Sequence, residues 1–206
     1  FYMLLEGEKP ETTAMSIGVG LIHLPNLLSK YKPDVVIAVG DRFETLATTI
    51  SSAMLNIHVV HTMGGEVTGT LDESIRHALT KFAHLHFPAN EDAKNRIIKL
   101  GENPDHVFNT GCPRIDEVER LIGDQKNGNL YDEKTFFEKY EGVGGEFSLE
   151  KGKFLLVTQH PVSTEYGQNR NHMKETLAAL NELKMPTIML WPNPDAGSDE
   201  VAREIR

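Results

Sequence analysis

Ile17, Leu21, Leu24, Leu28 and Tyr31 recur at intervals of four, three, four and three residues. That spacing predicts one apolar stripe on a helix, and Pro33 ends it. Residues 34–39 follow as Asp-Val-Val-Ile-Ala-Val, a β-branched run typical of a strand buried on both faces. Gly40-Asp41-Arg42 breaks the run, and the Ala- and Leu-rich residues 45–55 read as a second helix. Residues 57–61 form the next strand and 64–69 a loop. A helix over about 72–84 carries Ile75, Leu79 and Phe82 on one face. The rhythm continues with a strand at 85–88, a helix at 92–100 and a short strand at 107–109. Strict alternation of strands and helices predicts an α/β fold built on a parallel, doubly wound sheet.

Residues 123–151 depart from this rhythm, being rich in Gly, Glu, Lys and Asn, with one short helix expected at 133–140. Alternation then resumes with a strand at 154–158, a helix at 173–183, a strand at 187–191 and a helix from Ser198. The expected organisation is therefore an N-terminal Rossmann-like domain over 1–122, a linker or insertion over 123–151, and part of a second Rossmann-like domain over 152–206. The chain starts at Phe1 and stops inside an expected helix, so it reads as a fragment.

Composition narrows the function. Apolar residues are 39% and charged residues 25% of the 206, which excludes a disordered tail, a coiled coil and a disulfide-rich miniprotein. The net charge of −9 argues against a general nucleic-acid or anionic-membrane surface. No apolar run approaches the roughly 20 residues of a membrane span. Cys112 is the single cysteine and fits a reducing compartment. With no secretory signal visible, a cytoplasmic location is expected.

In open parallel sheets, ligands bind beyond the carboxyl ends of the strands. Four polar clusters fall at such ends: Gly40-Asp41-Arg42, residues 61–66, Gln159-His160-Pro161 and Pro192-Asn193-Pro194-Asp195. A fifth, Asp72-Glu73, opens a helix. Asp41 is either a tuned catalytic carboxylate or merely a helix cap or partner of Arg42. Gly64 and Gly65 either let a ligand approach the backbone or form a plain turn. Glu66 is a site acid or a solvated one. Asp72 and Glu73 also suit a first helical turn for dipole reasons alone. Arg76 stands four residues after Asp72, the spacing of an ordinary helical ion pair, and His77 follows it. His160 is equally placed for a site or a structural role. Residues 193–197 form a turn or present amides to a sugar or phosphate.

Sharper signals are absent. Gly18-Val19-Gly20 lies inside a helical stripe, so it is no dinucleotide fingerprint. There is no Walker A sequence, zinc-type spacing or G-x-S-x-G elbow. His84 and His86 straddle a helix end and read as structural. No metal and no redox cofactor is expected.

In one order, the chain carries Val39-Gly40-Asp41-Arg42-Phe43-Glu44, Gly64-Gly65-Glu66-Val67-Thr68-Gly69, Asp72-Glu73-Ser74-Ile75-Arg76-His77-Ala78 and Gly111-Cys112-Pro113. Gln159-His160-Pro161 and Pro192-Asn193-Pro194-Asp195-Ala196-Gly197-Ser198 follow. Jointly these motifs resemble the hydrolysing UDP-N-acetylglucosamine 2-epimerases of sialic acid biosynthesis. They also resemble the relatives acting on UDP-N,N′-diacetylbacillosamine in legionaminic acid biosynthesis. The resemblance implies a GT-B-like fold, two Rossmann-like domains with the nucleotide sugar in a cleft between them, and a homo-oligomer. It implies elimination of UDP to a 2-acetamidoglycal, then addition of water to release the C2 epimer. Asp41, Glu66, Asp72, Glu73 and His160 are the implied catalytic residues. Arg42, Gly64, Gly65, Arg76, His77, Asn193 and Asp195 are the implied substrate-binding residues. One position departs from the pattern the resemblance implies: Met63 stands where some members place a catalytic Glu, which leaves its part of the proton transfers either to Glu66 or to Asp72 and Glu73 together. Against the family, the chain lacks a first strand, an Arg-containing loop and a later Ser- and Gly-rich segment, and by itself it is expected to be inactive.

Overall fold

The alternation of the sequence becomes two compact units in the computed structural model, which describes residues 1–126, 133–140, 142, 144–145, 147–150 and 152–206. The first comprises Phe1–Pro113 with Val162–Thr164, the second Arg114–Pro161 with Glu165–Arg206.

The first unit opens with α1 (Pro10–Tyr31), which starts at a proline and ends at Lys32 in the left-handed region. Its buried line is Ser16, Gly20, Leu24 and Leu28, a line offset from the expected stripe, and Tyr31 is exposed. The cause is the close approach of α2 (Phe43–Met54). A Cβ at Gly20 would lie 2.8 Å from the Cβ of Ala47, so small residues mark the contact line.

Strands β1 (Val35–Val39), β2 (His58–Thr62) and β3 (Leu85–Phe87) form a parallel sheet in that order. Val36 pairs with Val59, and Ala38 with His61, which pairs in turn with His86. Side chains alternate across a strand, so Val36, Ala38 and Val59 share one face. On that side Ala38 and Val59 cluster with Ala83, beyond the end of α3 (Leu71–Phe82). Val35, Ile37 and Val39 face the other way and are 49%, 65% and 58% exposed. The expectation of a strand buried on both faces is thus corrected: among the described residues, no element covers this second face of β1.

Asn90 caps α4 (Glu91–Lys99), its side-chain oxygen accepting the Ala93 N–H at 2.9 Å. Residues 107–109 form no full strand. Val107 makes a single parallel bridge to His86, because a 3₁₀ turn at Pro104–His106 delivers the chain only briefly alongside β3.

Further along, α5 (Pro113–Lys126) is a helix absent from the sequence reading. Ile115, Val118, Leu121 and Ile122 lie along it, all exposed. A helix, α6 (Glu133–Lys139), stands where a short one is expected. The remainder of the expected linker includes residues 127–132, 141, 143, 146 and 151, which lie outside the described residues. Strands β4 (Leu155–Thr158) and β5 (Thr187–Leu190) pair in parallel. Helices α7 (Asn169–Leu183) and α8 (Ser198–Ile205) accompany them, with Met173 and Val201 fully buried. Among the described residues no helix is long and apolar enough to cross a membrane.

Candidate functional site

Gly40 turns the chain off β1 with φ 71°, a value that favours glycine, and places Asp41 at the strand's carboxyl end. Arg42, in extended conformation, holds the N-cap position of α2, so Asp41 does not cap the helix. Asp41 instead pairs through Oδ2 with Nη2 of Arg76 on α3. The Arg76 side chain is 3% exposed. Its Nη1 donates to the Glu66 carbonyl at 2.7 Å and its Nη2 to the Thr68 hydroxyl at 3.5 Å. A buried guanidinium requires partners for its charge and its donors, and this one finds them in the protein. These partners, and not Asp72 at the ordinary helical spacing, make Arg76 a brace between the Asp41 turn and the following loop. Arg42 pairs with Glu44 at 3.2 Å and lies over the Phe43 ring.

His61 near the end of β2 is fully buried. Its Nε2 lies 2.8 Å from the Gly40 carbonyl, which can only accept, so Nε2 carries the proton. Burial pushes its pKa down to about 4, against the raising effect of that hydrogen bond.

The loop after β2 begins at Met63, which holds a left-handed φ of 60° and donates its N–H to the Phe87 carbonyl at 2.9 Å. Gly64 lies against the His61 ring, where a Cβ would come 2.9 Å from Nδ1. Gly65 has φ 80°, and a Cβ there would lie 2.3 Å from the Ala93 carbonyl oxygen. Arg96 donates to the Gly65 carbonyl. Both glycines therefore permit close approach, and what approaches is α4 and the His61 ring.

Glu66 is half-buried. Glu73 accepts the N–H groups of Thr68 and Gly69, each at 2.8 Å. These two bonds hold its carboxyl below the usual range. His77 Nε2 lies 3.8 Å from Glu73. Asp72 is exposed at the start of α3, with the Thr70 hydroxyl 3.4 Å away. The first unit thus gathers Asp41, Glu66, Glu73, Arg76, Gly64, Gly65 and His77 around one strand-end loop.

In the second unit, His160 follows β4 and accepts the Asn193 N–H on Nδ1 at 3.1 Å. That bond leaves the proton of the neutral ring on Nε2, 3.4 Å from the Thr158 hydroxyl. Asn193 in turn accepts the Asp195 N–H at 2.8 Å, and Asp195 accepts the Ser198 N–H at 3.0 Å. These bonds fold the turn before α8 and bring His160, Asn193 and Asp195 together beyond β4 and β5. Sequence reasoning missed the structural part of His61, Thr68 and Arg96. A histidine inside an apolar strand, followed by two glycines, is the signal that marks His61. His84 and His86 serve the framework: His84 accepts the Val59 N–H, and the buried His86 faces Glu102 at 3.4 Å.

The fold has counterparts among solved structures. The UDP-GlcNAc 2-epimerase of Neisseria meningitidis, bound to UDP-GlcNAc, matches with a TM-score of 0.68 at 19% identity, over 98% of this chain and 54% of that one. The enzyme of Methanocaldococcus jannaschii, in complex with UDP-GlcNAc and UDP, matches at 0.69 with 21% identity, over 94% and 51%. The α/β, GT-B-like fold class is therefore established. The UDP-N-acetylglucosamine 2-epimerase family model matches residues 1–206, and the chain belongs to that family. Its relatives include the UDP-N,N′-diacetylbacillosamine 2-epimerase (hydrolyzing) of Legionella pneumophila, 33% identical over 201 residues, 98% of this chain and 50% of the relative. The UDP-N-acetylglucosamine 2-epimerase of Neisseria meningitidis is 28% identical over 205 residues, 99% and 50%. Polysialic acid biosynthesis protein P7 of Escherichia coli is 31% identical over 194 residues, 93% and 46%. The chain spans about half the length of these relatives.

Proposed function

We propose that the protein is a hydrolysing UDP-N-acetylglucosamine 2-epimerase, producing N-acetylmannosamine for sialic acid-type sugar biosynthesis. The observation that carries this reading is the Asp41 carboxylate, oriented by buried Arg76 beside the glycine loop that bears Glu66. Removal of the weakly acidic proton at C2 needs a placed carboxylate, and the departing diphosphate needs proton donors or positive charge. A carboxylate takes the C2 proton as the C1–O bond breaks, and UDP leaves with the bonding electrons. Water then adds across the glycal, its oxygen to C1 and a proton to C2 on the opposite face. Asp41, Glu66 and Asp72 are the carboxylates assigned to proton transfer, with Glu73 holding the loop. His160 presents an Nε2–H to the leaving group, with Arg42, His77, Asn193 and Asp195 as further substrate contacts. Gly64 and Gly65 set the path of the loop backbone along the sugar. Domains over 1–122 and 152–206, a cytoplasmic location and a homo-oligomer belong to the same proposal. The outer face of α1, where Met15 and Ile22 are exposed and no charge falls between Glu11 and Lys30, supports assembly.

Met63 and the Legionella relative favour a second reading, a hydrolysing enzyme for UDP-N,N′-diacetylbacillosamine. Product analysis of the intact enzyme with both UDP-sugars in deuterated water tests the proposal. Free UDP and free C2-epimeric sugar, deuterated at C2, are expected. A product still attached to UDP would establish a non-hydrolysing epimerase, and UDP binding without turnover an inactive binding module.

A further inference from the structure

We propose that His61 is a positioning residue for Asp41: its imidazole fixes the Gly40 carbonyl and thereby the turn from which the Asp41 carboxylate is presented. The proposal rests on the functional reading above in making Asp41 a working group. The geometry stands by itself. The ring has no exposed surface and lies between two backbone segments. On one side Nε2–H holds the Gly40 carbonyl at 2.8 Å. On the other, Gly64 leaves no room, since a Cβ there would come 2.9 Å from Nδ1 and 3.1 Å from Cε1. Nδ1 is buried and has no hydrogen-bond partner among the described residues.

A buried ring nitrogen without a partner costs stability. An apolar side chain could fill the same volume without that cost, but it could not hold the carbonyl. Asp41 is thus fixed from two directions, its side chain by Arg76 and its backbone by His61 through Gly40. The charged or titratable groups facing the ring are His86 on β3, Asp41 in the turn and Arg76 on α3. Protonation would put a second N–H against Gly64, where no acceptor waits, and a cation near Arg76.

Nitrogen-15 NMR of the imidazole and steady-state kinetics of the intact enzyme test this. The expected ring is neutral and protonated at Nε2 at neutral pH. In His61→Leu, checked for folding by near-ultraviolet circular dichroism, kcat for UDP release falls roughly 10–100-fold with KM little changed, the size expected from misplacing a reacting group. His61→Gln, whose amide N–H takes the place of Nε2–H, regains most of the rate. The Asp41 carboxyl carbon resonance moves in the Leu variant and returns in the Gln variant. Gly64→Ala, which presses on the ring without altering it chemically, lowers kcat in the same direction. A ring protonated at Nδ1, a Leu variant with normal kcat, or a Gln variant as slow as the Leu variant overturns the proposal. If the unmodified enzyme releases no UDP, the functional reading falls. The tautomer and the Asp41 resonance then decide the positioning proposal alone, and an unmoved resonance in His61→Leu overturns it.

Discussion

Asp41 and Arg76 lie 35 residues apart in the chain, yet the carboxylate of one receives the buried guanidinium of the other. The pair couples the turn after β1 to α3, and through the Glu66 carbonyl it reaches the loop after β2. Removing one partner leaves a charge or a set of donors unsatisfied. Arg76→Met is expected to cost about 2–4 kcal/mol, below the full range for buried pairs because Asp41 keeps some exposure. Urea unfolding of Arg76→Met, Asp41→Asn and the double variant measures the coupling directly. Additive losses would show that the pair contributes nothing as a pair. Asp41→Asn is further expected to lower kcat by on the order of 10²-fold.

Gly65 and Gly69 have similar backbone angles, φ 80° and 70°, but different surroundings. A Cβ at Gly65 meets the Ala93 carbonyl oxygen at 2.3 Å, whereas Gly69 faces open space. Gly65→Ala is expected to lose roughly 3 kcal/mol or more, from strain and from displacement of α4. Gly69→Ala should lose only about 1 kcal/mol, the penalty of a left-handed residue. Thermal unfolding of the two variants side by side separates packing from conformation, and equal losses would contradict the assignment.

His61 makes stability depend on pH. Burial lowers its pKa in the folded protein to about 4 from the ordinary 6.5, so between these values the unfolded chain binds more protons. The contribution is fully present above about pH 6.5 and declines as the pH falls through 4, amounting to roughly 3 kcal/mol at most. Urea titrations from pH 7 to 4 should show this decline, and His61→Gln should flatten it. Glu73 acts in the same direction at lower pH, because its carboxyl is also held below its usual range.

Met63 donates its N–H to Phe87 from a left-handed conformation. On the resemblance read from the sequence, it stands where some family members carry an acid. Met63→Glu is expected to fold, since the backbone requirement is unchanged. Turnover of UDP-N-acetylglucosamine at or above the unmodified rate would show that the site accepts the acid. Lost turnover in a folded variant would support a pocket shaped around an apolar residue. Rates with both UDP-sugars distinguish these outcomes.

Periodicity along the chain determines the α/β alternation, because a residue's face within a helix or strand depends only on its own element. The strands at 35–39, 58–62 and 85–87 and the helices between them follow from it. The motifs fall at strand ends, where ligands bind in open parallel sheets, and that placement is legible from the order of elements alone. The apolar spacing of α5 was present too, but among the described residues Ile115, Val118, Leu121 and Ile122 stay exposed, so no burial marks the stripe.

Tertiary structure decided what long side chains and open backbone positions meet. Arg76 stands at helical spacing from Asp72, and sequence proximity favours that pair. Folding instead brings the Gly40–Asp41 turn over α3, and a buried cation takes the partner that desolvation demands. Gly65 looks like a glycine meant for a ligand until α4 is seen to pass beneath it. The valines of β1 look like core until one face proves uncovered. In each case the local pattern specifies a direction, and only the arrangement of elements distant in sequence supplies what lies there.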